Sequence, residues 1–149
     1  MTFATCLNCM DGRVQLPVIK WITENYDVKY VDMITKPGMD GFLANEESNI
    51  KYLVKNVEIS IDVHDTKNIF IVGHYDCAGN PVDDLTHEKH IYTAVNRIKS
   101  IFNNSNVVGL WISEDFHVEE NQRFSEPQKS KIFKVEKIIE KWIIIYNLD

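Results

Sequence analysis

The chain has 149 residues, of which 44% are hydrophobic and 26% charged, with only 6 Gly and 4 Pro. That length and balance describe one globular domain over residues 1–149 with a core of its own, and exclude a disordered, collagen-like or linker-like chain. The formal net charge is −6, from 16 basic and 22 acidic residues, and no basic stripe offsets it, so nucleic acid and anionic membrane surfaces are not expected as partners.

Thr2 to Cys9 reads as a short strand followed by a polar turn. Val14, Val18, Trp21, Ile22 and Tyr26 then recur at helical spacing, with Pro17 tolerable in the first turn. Lys29 to Thr35 reads as a second strand, and Pro37-Gly38 with Asp40-Gly41 marks a loop. Ile50, Leu53, Val54, Val57 and Ile61 form the stripe of an amphipathic helix. Asn68 to Gly73 is a continuous apolar run, the pattern of a strand buried on both faces. A second loop holds Gly79-Asn80-Pro81, and Gly38, Gly41 and Gly79 are most simply turn residues. Ile91, Ala94, Val95, Ile98, Ile101 and Phe102 predict a third helix, and Asn106 to Ser113 a fourth strand. Phe116 and Val118 suggest an edge strand. Asn121 to Ser130 is polar and irregular, and Phe133, Ile138, Ile139, Trp142, Ile143 and Tyr146 predict a final helix. The basic residues from Lys129 to Lys141 alternate with Glu and Ile, which makes them a helix surface.

Alternating strands and helices predict a three-layer α/β/α fold around a mostly parallel sheet of four strands plus a possible edge strand. Ligands of such sheets sit beyond the carboxyl ends of the strands, where the strand order reverses. Met1-Thr2-Phe3 lacks a basic leader, and the apolar run Trp142 to Tyr146 is far too short to span a bilayer. With 3 Cys and no export signal, a cytoplasmic chain with free thiols is expected rather than a disulfide framework.

The polar chemistry gathers at two strand ends, Cys9-Met10-Asp11-Gly12-Arg13 and Gly73-His74-Tyr75-Asp76-Cys77. If the first and third strands are neighbours, Cys9, His74 and Cys77 face one crevice. Two thiolates and an imidazole suit Zn²⁺, and three protein ligands leave one position open, as in catalytic sites. Water bound there would have its pKa lowered to about 7, giving a hydroxide nucleophile near neutrality. Asp11 could hydrogen-bond that water or fill the fourth position itself, and Arg13 is placed to pair with Asp11 through a bidentate contact.

Cys9-x-Asp11-x-Arg13 followed by His74-x-x-Cys77 resembles the zinc-site signature of the β-class carbonic anhydrases. Val14, the helix 50–61, the strand 68–73, Gly73 before His74 and the segment Val107 to Glu119 also fall where that family has them, so the likeness covers roughly residues 3–119. It implies a zinc lyase that interconverts CO2 and bicarbonate, usually as a homodimer. Cys9, His74 and Cys77 would be the metal ligands, and Asp11 and Arg13 the catalytic dyad. In some members the Asp moves onto zinc and closes the site. The chain would be a compact, divergent member: the strand starts at Thr2 without the family's N-terminal arm, Thr35 to Asp40 replaces an Arg-Asn-Ala-Gly-like stretch, Ala78 stands for the usual Gly, and the pocket Gln has no obvious counterpart.

Other readings stay open on the residues alone. The altered loop at 36–40 could suit a related linear substrate such as COS or CS2. Zinc could be purely structural in a binding module, with Asp11 or Cys6 as fourth ligand. Cys6-x-x-Cys9 could be a redox pair, although positions 6 and 9 of a strand point to opposite faces, which favours a packed Cys6. Asp11 and Arg13 could be a turn-capping pair, and Asp76 a loop cap or a partner of a ligand. His87 and His90 could relay protons, but an exposed helix N-terminus is the simpler expectation, and His64 and His117 have no visible partner.

Overall fold

The computed structural model describes residues 1–121. Within them a five-stranded sheet runs in the order β2-β1-β3-β4-β5. The strands are β1 (Phe3–Asn8), β2 (Tyr30–Thr35), β3 (Asn68–His74), β4 (Asn106–Ile112) and β5 (Val118–Glu120). The first four are parallel, and β5 closes one edge antiparallel to β4. The expected sheet of four strands plus an edge strand is therefore present. The predicted final helix, and all of 121–130 except Asn121, lie outside the described residues.

Helix α1 (Gln15–Asn25) covers one face of the sheet. It buries Val18 and Ile22 against Ala4, Cys6, Phe70, Val72, Leu110 and Ile112. The other face takes α2 (Met39–Ala44), α3 (Lys51–His64) and α4 (Asp84–Ile101). There Leu7, Ile69 and Ile71 meet Met39, Leu43, Leu53, Val57, Ala94 and Ile98. The alternation of even and odd positions along β1 and β3 thus feeds two separate cores, which is why β3 reads as a continuous apolar run.

Several expectations are corrected. The stretch 37–41 is not all loop: Met39–Ala44 forms α2, whose Met39, Asp40 and Leu43 are buried. Gly38 precedes it at φ 57°, a left-handed conformation that only glycine adopts at no cost, and a Cβ there would collide with the Gly79 carbonyl. Gly41 lies inside this helix, not in a turn. Helix α4 begins at Asp84, seven residues before the apolar pattern starts, because the Asp83 carboxylate accepts the Thr86 N–H as an N-cap (3.0 Å). His64 also has a partner after all: its Nδ1 lies 2.7 Å from Asp32 Oδ2, and its ring stacks on Phe3. Among the described residues no helix is long and apolar enough to cross a membrane.

Phe70 is fully buried in the central strand, edge-on to Tyr26 at 4.8 Å between ring centres. Phe70→Ala is expected to cost about 3–5 kcal/mol in denaturant unfolding. Tyr26 in turn donates its hydroxyl to Glu120 Oε1 (2.9 Å), tying the end of α1 to β5. Burial first, then the Glu120 carboxylate, push the Tyr26 phenol up to about 12. A folded-state value raised above the ordinary 10.0 means that this contribution to stability is complete below that pH and is lost as pH rises through about 12. Glu120→Gln should lower the Tyr26 ionisation yet leave it above the ordinary value, because burial remains. Phenolate absorbance during an alkaline titration reads this directly.

Candidate metal centre

Parallel strands β1 and β3 lie side by side, with Cys6 opposite Phe70, so their carboxyl ends open at the same edge. This is where the strand order reverses, β2 lying to one side and β4 to the other. Past the end of β1 the chain turns at Cys9, and Asp11 caps a 3-10 turn over Gly12–Val14. Past β3, Tyr75 donates its N–H to Ile112 O (2.9 Å), and Asp76 takes a left-handed φ of 52°. That tight turn returns Cys77 to the same edge. All three donor residues are buried: Cys9 5%, His74 2% and Cys77 2% exposed.

One ligand atom from each of Cys9, His74 and Cys77 converges, all within 4.8 Å of one another. Among the described residues this is the one such group of three or more His, Cys, Asp or Glu donors. Cys9 Sγ and Cys77 Sγ stand 3.7 Å apart. Two thiolates bound to a tetrahedral zinc at their usual bond length would stand about 3.8 Å apart. His74 gives its Nδ1 to the Tyr75 carbonyl (2.8 Å). That bond puts the proton on Nδ1 and leaves the Nε2 lone pair free. Nε2 is buried and has no hydrogen-bond partner, an arrangement that costs energy unless something binds there. Donor type, spacing and the orphaned nitrogen all fit a zinc-like ion.

Asp11 stands beside this group rather than in it. Its Oδ2 receives Arg13 Nη2 at 2.7 Å, Arg13 Nε lies 3.1 Å from both oxygens, and Oδ1 also accepts the Arg13 backbone N–H at 2.9 Å. The bidentate contact expected from the spacing is therefore formed. The Arg13 side chain, then its backbone N–H, lower the Asp11 carboxyl to about 2, so Asp11 is a carboxylate with accepting lone pairs at any working pH. Arg13 also reaches Asp76 through its Oδ2 (3.5 Å) and its carbonyl (3.4 Å), which links the two ligand turns across their open side.

The structure separates Cys6 from this chemistry. It is fully buried in the core beneath α1, and burial pushes its thiol well above the ordinary range. The conclusion of a packed Cys6 stands, but its parity argument does not. The strand ends at Asn8, and Cys9 turns back into the same core cluster as Cys6. His87 is no exposed helix end: it is fully buried, 2.6 Å from Asp40. Sequence reasoning missed Gln15, whose amide donates to the carbonyls of Cys9 and Asp11 (2.7 Å each) and holds the first ligand turn. It also missed Asp40 and Asn80, which are buried and joined by a 3.0 Å hydrogen bond. Nothing in a single sequence marks such residues, since each acts through a partner distant in the chain.

Comparison with known proteins agrees with this geometry. The family described as "Putative carbonic anhydrase" matches residues 1–122, so the chain belongs to that family. No curated protein matches. Three solved structures share the fold. The carbonic anhydrase of Streptococcus mutans is 16% identical with a TM-score of 0.58, covering 79% of this chain and 81% of its own. That of Glaciozyma antarctica is 13% identical (0.55; 78% and 80%). β-carbonic anhydrase isoform I of Trichomonas vaginalis is 17% identical (0.52; 80% and 81%).

The three thiols are expected to behave differently. In native protein, Cys6 should resist alkylation at neutral pH and react only on unfolding, as mass mapping after iodoacetamide treatment would show. A Cys6–Cys9 disulfide in protein isolated under alkylating conditions would contradict the packed assignment.

Proposed function

We propose that this chain is a zinc-dependent lyase that interconverts CO2 and bicarbonate, with Cys9, His74 and Cys77 holding the metal. The observation that carries this is the buried, partnerless His74 Nε2, set beside two thiols at the spacing a tetrahedral ion requires. Membership in the carbonic anhydrase family supplies the reaction class. Bound there, zinc lowers the pKa of a water to about 7 and makes a nucleophile available at neutral pH.

The chain's own residues supply orientation. The Tyr75 carbonyl holds the His74 ring in the tautomer that presents Nε2. Gln15 fixes the turn carrying Cys9 and Asp11. Asp11, kept ionised by Arg13, serves as the hydrogen-bond acceptor that directs the attacking oxygen at the substrate carbon. Arg13 prevents that carboxylate from turning onto the metal, since three of its contacts hold Asp11 sideways. Permanent Asp11 ligation would require those contacts to break. Three free cysteines suit a reducing compartment, so cytoplasmic residence belongs to the same proposal. So does the homodimer, which sedimentation analysis would read.

Stopped-flow CO2 hydration, with zinc content measured on the same sample, tests the reading. Zinc-dependent turnover is expected. Full zinc occupancy with no rate above buffer from acid to alkaline pH would refute it. Cys77→Ala should lose metal and activity together. Asp11→Asn should keep its zinc while kcat falls about 10²-fold through lost orientation, and full activity in that variant would remove Asp11 from the mechanism.

A further inference from the structure

A buried polar cluster lies on the opposite face of the sheet from the three donors. The Asp40 side chain is almost completely sealed from solvent, and His87 is completely so. Asp40 Oδ2 accepts from His87 Nδ1 (2.6 Å) and from the Asn80 amide Nδ2 (3.0 Å). The second proton of that amide reaches His90 Nδ1 (3.0 Å). A carboxylate taken out of water is costly unless it is paired and hydrogen-bonded. Asp40 Oδ2 receives two such hydrogen bonds, one from α4 and one from the loop between β3 and α4.

This cluster brackets the ligand turn. Asp40 Oδ2 lies over Gly73, the residue before His74, where a Cβ would stand only 3.1 Å away. Asn80 follows Cys77 by three residues, and its backbone N–H donates to the Cys77 carbonyl (3.1 Å). A Cβ on Gly41 would come within 2.6 Å of the Asn80 carboxamide, so α2 packs directly on that side chain. One buried carboxylate therefore touches the residue before the first ligand of the turn and holds the residue that closes the turn after the second.

We propose that Asp40, Asn80, and His87 are positioning residues. Together they clamp the His74–Cys77 turn from behind the sheet and set the angle at which Cys77 meets the metal. The inference rests on the metal-site reading above and adds to it a function for three residues that touch neither metal nor substrate. A turn clamped this way presents its ligands already in place, so less order remains to be imposed when the ion binds.

The test uses the full-length protein loaded with cobalt(II), together with zinc affinity from chelator competition, and needs no turnover. Asn80→Ala and Asp40→Asn are expected to retain the thiolate-to-cobalt absorption while their d–d bands shift. Zinc affinity should fall about 10- to 100-fold, the usual cost of losing a partner that orients a ligand. Val57→Ala, a cavity in the core beneath α3, serves as control. It should lower the melting temperature yet leave band positions and zinc affinity as in the unaltered chain. If Asp40→Asn does not fold, Asn80→Ala decides alone, since that side chain sits in a loop. Unchanged bands and affinity in Asn80→Ala would overturn the clamp while leaving the metal site intact. An unaltered chain that shows no thiolate-to-cobalt band would overturn the metal-site reading, and the clamp with it.

Discussion

The parallel pairing of β1 with β3 is the constraint on which the rest depends. Residues 9 and 74 are remote in sequence, yet the register that sets Thr5, Cys6 and Leu7 against Ile69, Phe70 and Ile71 delivers both strand ends to one edge. The register is in turn fixed by burial. Shifting either strand by one residue would exchange its two apolar faces, moving Cys6 and Phe70 out of the core under α1 and Leu7 and Ile71 out of the core under α2 and α3. The three converging side chains inherit their spacing from the packing of the two strands.

That dependence explains what could be read from the sequence. Strand β3 is an apolar run because it is buried on both faces, and α3 declares itself by its stripe because its outer face is wet. Cys9, His74 and Cys77 are legible because two thiols and an imidazole at two strand ends are the donor types a zinc-like ion takes. Helix α2 is not legible: it is six residues long, contains Gly41, and exists because Met39, Asp40 and Leu43 find partners on α4 and β3. Intrinsic propensity argues against such a segment, and tertiary burial overrides it. The burial of the first two turns of α4 was missed for a related reason. His87 and Glu88 are buried but polar, and periodicity reasoning assigns polar residues to solvent.

Parity failed at Cys9 in an instructive way. Alternation holds only while the backbone remains a strand, and β1 ends at Asn8. The site begins where the regular pattern stops, so the rule that places Cys6 cannot place Cys9. What holds Cys9 is the Gln15 amide, which accepts no guidance from strand geometry and gathers two carbonyls of the turn at once.

The turns that carry the three donors are braced by two carboxylate contacts of opposite character. Arg13 and Asp11 meet at the open edge with half of the Arg side chain exposed, where a charge pair adds little to stability. Its value lies in direction, since the bidentate fork fixes where the carboxylate lone pairs point. Asp40 and His87 meet in a dry interior at 2.6 Å, where removing one partner leaves a buried polar atom without its hydrogen bond. With the dry contact behind the sheet and the solvated pair in front, Asp11 is the more exposed of the two carboxylates, and it stands at the edge where the strand order reverses.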